Sequence, residues 1–171
     1  NYATTGSLTI NGTGRIELNG YKLTVGVLTA AGSAVINNSS TSKTLTVGNG
    51  SASSYTGVIS GPIALVKNGT GALTLSGANT YSGGTNLSAG TLNINNASAI
   101  GTGTFTISGA STIDNTSSGA IILSTDNLLS FNADFTFTGT QNLNLGNGMI
   151  TLSANRTITV TAKEFAINGG I

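Results

Sequence analysis

Apolar and polar residues alternate with a period of two along nearly the whole chain. Leu8-Thr9-Ile10, Leu23-Thr24-Val25, Leu45-Thr46-Val47, Leu73-Thr74-Leu75, Phe105-Thr106-Ile107 and Ile158-Thr159-Val160 are instances. Such alternation sends successive side chains to opposite faces of a β-strand. Gly, Asn and Ser fill the gaps. The pair Asn-Gly recurs at Asn11, Asn19, Asn49, Asn68, Asn147 and Asn168, and both residues tolerate positive φ. No stretch holds an apolar period of about 3.6 residues over three turns, so no helix is predicted.

Asn-Gly between strands ordinarily marks a hairpin. The longer period points elsewhere. Val25 to Val47, Leu87 to Ile107, Leu123 to Leu143 and Phe137 to Val160 each return after 20 to 23 residues. Recurrence near ~20 residues marks a stacked solenoid, in which each coil pairs with the next. The expectation is an all-β parallel solenoid of about 20 residues per coil and roughly eight coils, a rod about 40 Å long at ~4.8 Å per rung. The chain also repeats at longer range: residues 11–20 align with 68–77, and 28–38 with 87–96. No linker separates these blocks, so residues 1–171 are expected to form one domain. Leu, Ile, Val and Phe would stack inside the tube. The turn asparagines Asn37/Asn38 and Asn95/Asn96 would stack on asparagines of the next rung and satisfy turn backbone.

Composition narrows the chemistry. Gly, Thr, Asn and Ser make up over half of the 171 residues, 6% are charged, and the net charge is +1. The absence of Cys and His removes the usual zinc and copper sites, thiol nucleophiles, disulfides and any Ser-His-Asp triad. Six scattered cations make no basic stripe for nucleic acid. The longest apolar run, 120–123, is far too short for a membrane-spanning helix. The polar but uncharged composition, rich in Thr, Val and Ile, suits a β-protein with many tight turns rather than a disordered chain. The start at Asn1, without Met or a signal-like segment, reads as a processed form or a fragment.

The stretch Leu65-Val-Lys-Asn-Gly-Thr-Gly-Ala-Leu-Thr-Leu-Ser-Gly-Ala-Asn-Thr-Tyr-Ser-Gly-Gly-Thr-Asn-Leu-Ser-Ala-Gly-Thr-Leu-Asn-Ile94 resembles the passenger-associated transport repeat of autotransporters and related bacterial surface proteins. Residues 57–61 and 99–103 look like the family's flanks, and residues 11–38 like a degenerate second copy lacking the Asn79-Thr-Tyr-Ser-Gly-Gly84 piece. The resemblance implies a right-handed parallel β-helix, exported and displayed outside a Gram-negative-type cell. The membrane barrel of such proteins is not in this chain, so export by that route would need further sequence. In the motif, Gly83-Gly84 would give a sharp corner, Tyr81 would cover it, and Lys67 would be solvated beside a turn.

Candidate chemistry is sparse. Asp114 and Asp134 stand one coil apart and could flank a glycosidic bond or share a calcium ion with backbone carbonyls. No third carboxylate or clustered arginine accompanies them, so solvated loop acids are the expectation. Ser40 and Lys43 have the spacing of a serine/lysine nucleophile motif but no helix to carry it. Gly69-Thr-Gly71 and Gly101-Thr-Gly103 precede strands, unlike phosphate loops. Thr44/Thr46, Thr104/Thr106, Thr136/Thr138 and Thr157/Thr159/Thr161 raise ice binding, but only the last two arrays are one coil apart. No catalytic, cofactor or metal residue is therefore assigned.

The functional expectation is a non-enzymatic structural or adhesive segment of a bacterial surface or secreted protein. The alternatives are a self-assembling extracellular fibre subunit and a glycan-active β-helix enzyme. Expected partners are neighbouring coils or identical subunits end to end, and a host or cell-surface glycan or protein. Neither nucleic acid nor membrane insertion is expected. Residues 1–10 and 164–171 read as ordinary coils without caps, which would leave both ends of the solenoid open.

Overall fold

Each period-two segment forms a short strand, and each strand pairs with the one a coil away. The computed structural model describes residues 2–3, 6–48 and 50–170. Within them every strand pairing is parallel and no helix occurs. Two eight-stranded sheets run the length of the molecule. The first face is built from Tyr2–Ala3, Leu23–Val25, Lys43–Val47, Ile63–Lys67, Thr85–Leu87, Phe105–Ile107, Leu129–Phe131 and Ile150–Leu152. The second contains Ser7–Asn11, Val27–Ala31, Ser53–Tyr55, Ala72–Leu75, Gly90–Ile94, Ser111–Asp114, Phe135–Phe137 and Ile158–Val160. The chain is thus a β-solenoid of eight coils. Right-handed crossover is the rule for such parallel connections.

Register turns sequence recurrence into interior columns. On the first face Val25 aligns with Val47, Val47 with Lys67, Lys67 with Leu87, Leu87 with Ile107, and Ile107 with Phe131. On the second, Leu73, Leu92, Ile113, Phe137 and Val160 form one column. Leu45, Leu65, Leu73, Leu75, Leu92 and Ile113 have no solvent exposure. Full burial of such a side chain stabilises the fold by roughly 1.5–3 kcal/mol. Three of the four spacings noted above match this register. Leu123 departs: Leu143 faces Ile121 instead, because the strand pair Ile121–Ile122 and Leu143–Asn144 is offset by 22 residues.

The third side is discontinuous. Three strands, Arg15–Glu17, Val35–Asn37 and Val58–Ser60, cover it in the first coils, and three more, Ile121–Ile122, Leu143–Asn144 and Phe165–Ala166, in the last. Between them, 79–81 and 96–100 take irregular paths. This explains the internal sequence repeat. Residues 11–20 run from the second face to the third side, whereas 68–77 run from the first face to the second. The two copies therefore use the same strand-turn-strand pattern one face out of phase. The earlier copy has a plain strand where the later one carries Asn79-Thr-Tyr-Ser-Gly-Gly84.

Large rings gather in the last coils. Phe131 and Phe135 meet edge to face with centroids 5.0 Å apart, and Phe165 stacks on Phe137 at 5.0 Å. Phe165 reaches them from the third side, so the three walls of the tube converge on one aromatic cluster. The final coil is open. Leu152 and Val160, which continue buried columns, are 39% and 47% exposed. Residues 164–170 keep coil geometry, with Asn168 N–H donating to Gly146 O and Ile150 N–H to Gly170 O. Of the termini read above as coils, residues 1, 4, 5 and 171 lie outside the described residues, as does Asn49 of one Asn-Gly pair.

Candidate functional site

The 65–94 stretch forms the centre of the rod, and its side chains fasten three coils together. Lys67 occupies an interior position between Val47 and Leu87 and is 1% exposed. The expectation of a solvated lysine is therefore corrected. It stands two residues after Leu65 on the same strand, so alternation turns it inward. Its Nζ donates to the carbonyl oxygens of Asn68 (2.9 Å), Gly69 (2.8 Å) and Ala89 (3.1 Å). Among the described residues no carboxylate pairs with it, and burial pushes its pKa down to about 8. Gly90 makes the room: a Cβ there would sit 2.8 Å from Lys67 Nζ and 2.4 Å from Gly69 O.

Asn79 is 1% exposed and bridges the coils on either side of its own. Its Oδ1 accepts Ile59 N–H (2.8 Å), and its Nδ2 donates to Ala99 O (2.6 Å). Tyr81, fully buried, lies at the corner it was expected to cover. Thr85 Oγ1 donates to Ile100 O (3.0 Å), so the Tyr81 hydroxyl donates to Thr85 (2.5 Å). Burial raises the Tyr81 pKa well above the ordinary phenol value. The Gly83-Gly84 corner is tight: a Cβ on Gly83 would lie 2.6 Å from Ile63 O, and Gly84 has φ +85°.

Turn asparagines do satisfy backbone, but not by stacking on one another. Asn38 Oδ1 accepts Gly20 N–H and its Nδ2 donates to Thr41 O. Asn96 Nδ2 donates to Ser76 O, and Asn95 exchanges bonds with Thr116. Asn37 Nδ2 donates to Glu17 Oε2 at 2.6 Å. Glu17 also accepts from Arg15 and from Ser39 N–H. The Asn37 bond, aided by Arg15 and Ser39 against the cost of desolvation, pushes the Glu17 pKa down to about 2.

The two candidate carboxylates are not brought together. Asp134 lies beside Ala110 in register, because Ser111 faces Phe135. Asp114 is four residues further along that strand, about 13 Å at ~3.3 Å per residue, beyond the ~5–9.5 Å between glycosidase carboxyls. Each serves the backbone instead. Asp114 accepts Asn115 N–H, Thr140 N–H and Thr140 Oγ1. Burial opposes its charge, but the bonds from Thr140, Thr138 and Asn115 outweigh that and lower its pKa. Asp134 Oδ1 accepts Thr157 N–H at 3.0 Å. Among the described residues no three His, Cys, Asp or Glu side chains gather to hold a metal ion. Ser40 lies in a bend and Lys43 begins a strand, without a helix. Gly69-Thr-Gly71 and Gly101-Thr-Gly103 lead into strands.

Threonines divide between the faces. Thr46 and Thr106 share a first-face column, but Val66 and Asn86 interrupt it. On the second face Thr91, Thr112, Thr136 and Thr159 stack over four consecutive coils. The last two threonine arrays are adjacent, but a 21-residue spacing that would set Thr136 on Thr157 is corrected to 23 residues, Thr136 on Thr159. Thr91 and Thr112 extend the column although Asn93 and Asp114 stand where a second threonine was sought.

Residues 65–94 match the family described as passenger-associated-transport-repeat (PATR). The match covers the interior lysine, Asn79, Tyr81, the double-glycine corner and Gly90, so the recognisable repeat coincides with the inter-coil fasteners. No curated protein and no solved structure matches the chain significantly. Among the described residues no helix is long and apolar enough to cross a membrane.

Proposed function

We propose that the chain is a non-enzymatic, stiff segment of the passenger of an autotransporter-like protein, displayed or released outside a bacterial cell. The observation that carries this reading is the coincidence of a passenger-type repeat with an unbroken solenoid. Backbone ladders along the whole axis make a rod about 35–40 Å long at ~4.8 Å per rung. Its few charged residues leave few sites for trypsin-like proteases. Such a rod holds an adhesive surface away from the cell, or presents its own polar flank. The acidic side chains serve backbone amides, which favours structure over glycan cleavage. The test is labelling of intact cells of the source bacterium with antibodies raised against this chain. Label on unpermeabilised cells, or chain in the culture medium, is expected. Label only after permeabilisation overturns the reading.

A second reading is favoured by the open last coil. Leu152 and Val160 continue sealed columns but face solvent. A further coil added in register, from the same solenoid or from a second copy end to end, would bury both. Repeated head-to-tail addition of copies would give a filament, because such contacts do not close. Sedimentation over a concentration series tests the copy-to-copy version: growth with concentration supports it, and a constant monomer contradicts it.

A further inference from the structure

A long, shallow groove of about 630 Å³ runs over the second face, crossing five coils from Thr70 to Thr159. At the strand-leading positions beneath it the side chains turn to the tube interior. Gly90 and Ser111 stand there, in register with Phe135 and Ile158 of the following coils. Thr91, Thr112, Thr136 and Thr159 line it in one column along the axis. Other threonines are committed: Thr9 bonds Thr29, Thr85 bonds Ile100 O, Thr140 bonds Asp114, and Thr161 bonds Thr138 O. The four groove hydroxyls make no hydrogen bond to another described residue. Beneath them, Ser111 Oγ is the one buried side-chain oxygen or nitrogen among the described residues without a partner. That oxygen turns to the tube interior with Phe135 of the next coil, so the polar groups offered to a ligand are the threonine column and Asp134.

The chemistry of the lining selects the ligand. No Lys or Arg lines the groove, and its only ionisable side chain is Asp134, an exposed carboxylate with one oxygen already on Thr157 N–H. That disfavours phosphate and uronate polymers, which find no cation and one like charge there, and leaves an acceptor for paired hydroxyls. The hydroxyl column repeats once per coil, at ~4.8 Å. A β-linked pyranose advances by close to that distance, whereas an extended peptide advances by ~3.3 Å per residue and falls out of step. We propose that this groove is a docking site for a linear, neutral polysaccharide lying along the solenoid axis, held by the hydroxyls of Thr91, Thr112, Thr136 and Thr159. The inference rests on the surface-display reading for access to such a polymer and names the adhesive surface of that rod.

The test is an amide-resolved NMR titration of the whole chain with four neutral β-1,4-linked hexasaccharides, of glucose, xylose, mannose and N-acetylglucosamine. A galacturonate hexasaccharide provides the charged counterpart. At least one neutral probe should shift the amides of Ser111, Thr112 and Thr136 at millimolar concentration or below. The double variant Thr112→Val with Thr136→Val keeps shape and β-propensity and removes two hydroxyls. It should weaken binding about tenfold, as expected for two modest hydrogen bonds, with the rest of the spectrum unchanged. The proposal is overturned if no neutral probe shifts these amides, if the valine variant binds equally well, or if the galacturonate binds as tightly. A failed titration leaves the surface-labelling result standing, and unlabelled intact cells leave the titration standing.

Discussion

The fourth coil and the last coil are written in the same alternating code, yet only one is sealed. In the fourth, Ile63, Leu65, Leu73 and Leu75 are fully buried. In the last, Ile150 and Ile158 are half-buried, while Leu152 and Val160 face solvent. The last coil's strands are shorter, three residues each against five and four, but their inner side is just as apolar. What differs is the neighbour. A coil's interior is roofed by the next coil, so burial in a solenoid belongs to the stack and not to the strand. The period-two pattern tells which side chain points inward. It does not tell whether anything covers it.

Charge insertion should separate the two coils most sharply. Leu75→Asp places an unpaired carboxylate in the sealed tube and should cost about 4 kcal/mol or more in urea unfolding. Val160→Asp, at an inward position of the open coil in the neighbouring column of Leu73, should cost under about 1 kcal/mol. Equal losses would mean that the last coil is covered in solution.

Asn79→Ala comes next. It leaves Ile59 N–H and Ala99 O without their partner in a dry corner, and loss of a buried partner costs about 1–3 kcal/mol. About 3 kcal/mol is therefore expected for the two groups together. Asn95→Ala, whose partner Thr116 is exposed, should cost under about 1 kcal/mol. A similar loss at both sites would remove the special standing of the central coil.

Lys67 gives a smaller effect with a distinctive pH signature. Burial lowers its folded pKa to about 8 from an ordinary 10.5. The charged form therefore opposes folding, fully below about pH 8, and the opposition fades as pH rises towards 10.5. Thermal melting of the wild-type chain should gain on Lys67→Met between these values and run parallel to it below pH 8. Parallel curves throughout would place Lys67 in water. Glu17 acts in the opposite range. Its folded pKa is near 2 against an ordinary 4.5, so its stabilisation is complete above about 4.5 and is lost as pH falls towards 2. Glu17→Gln should flatten that acid limb.

The smallest effect is expected at the outward neighbour of the core. Thr74→Asp, one residue from Leu75, should change stability by under about 1 kcal/mol.

Much of this was legible in the residues. The strand at Leu73-Thr74-Leu75, the coil period from Val25 to Val47, and the corner at Gly83-Gly84 follow from alternation, recurrence and glycine pairs. Three features were not. Lys67 reads as surface by its charge, although its phase with Leu65 points inward and Gly90, one coil on, supplies the space. Leu123 and Leu143 share a spacing but not a register, because coil length varies and a shift of two residues keeps the same side inward. The threonine column was half hidden, since a ladder across coils needs one threonine per coil and not a pair within each strand.

Register between coils can be measured directly by paired cysteines, because the chain has no native cysteine. Thr106 and Ser130 face each other across the first face although 24 residues apart in sequence. Adjacent strands lie ~4.8 Å apart, within the Cα separation of about 4.4–6.8 Å that a disulfide tolerates. Thr106→Cys with Ser130→Cys should cross-link within a single chain on mild oxidation, while Thr106→Cys with Asn132→Cys, two residues out of register, should not. Cross-linking of the second pair in preference to the first would contradict the parallel solenoid register on which every assignment here depends.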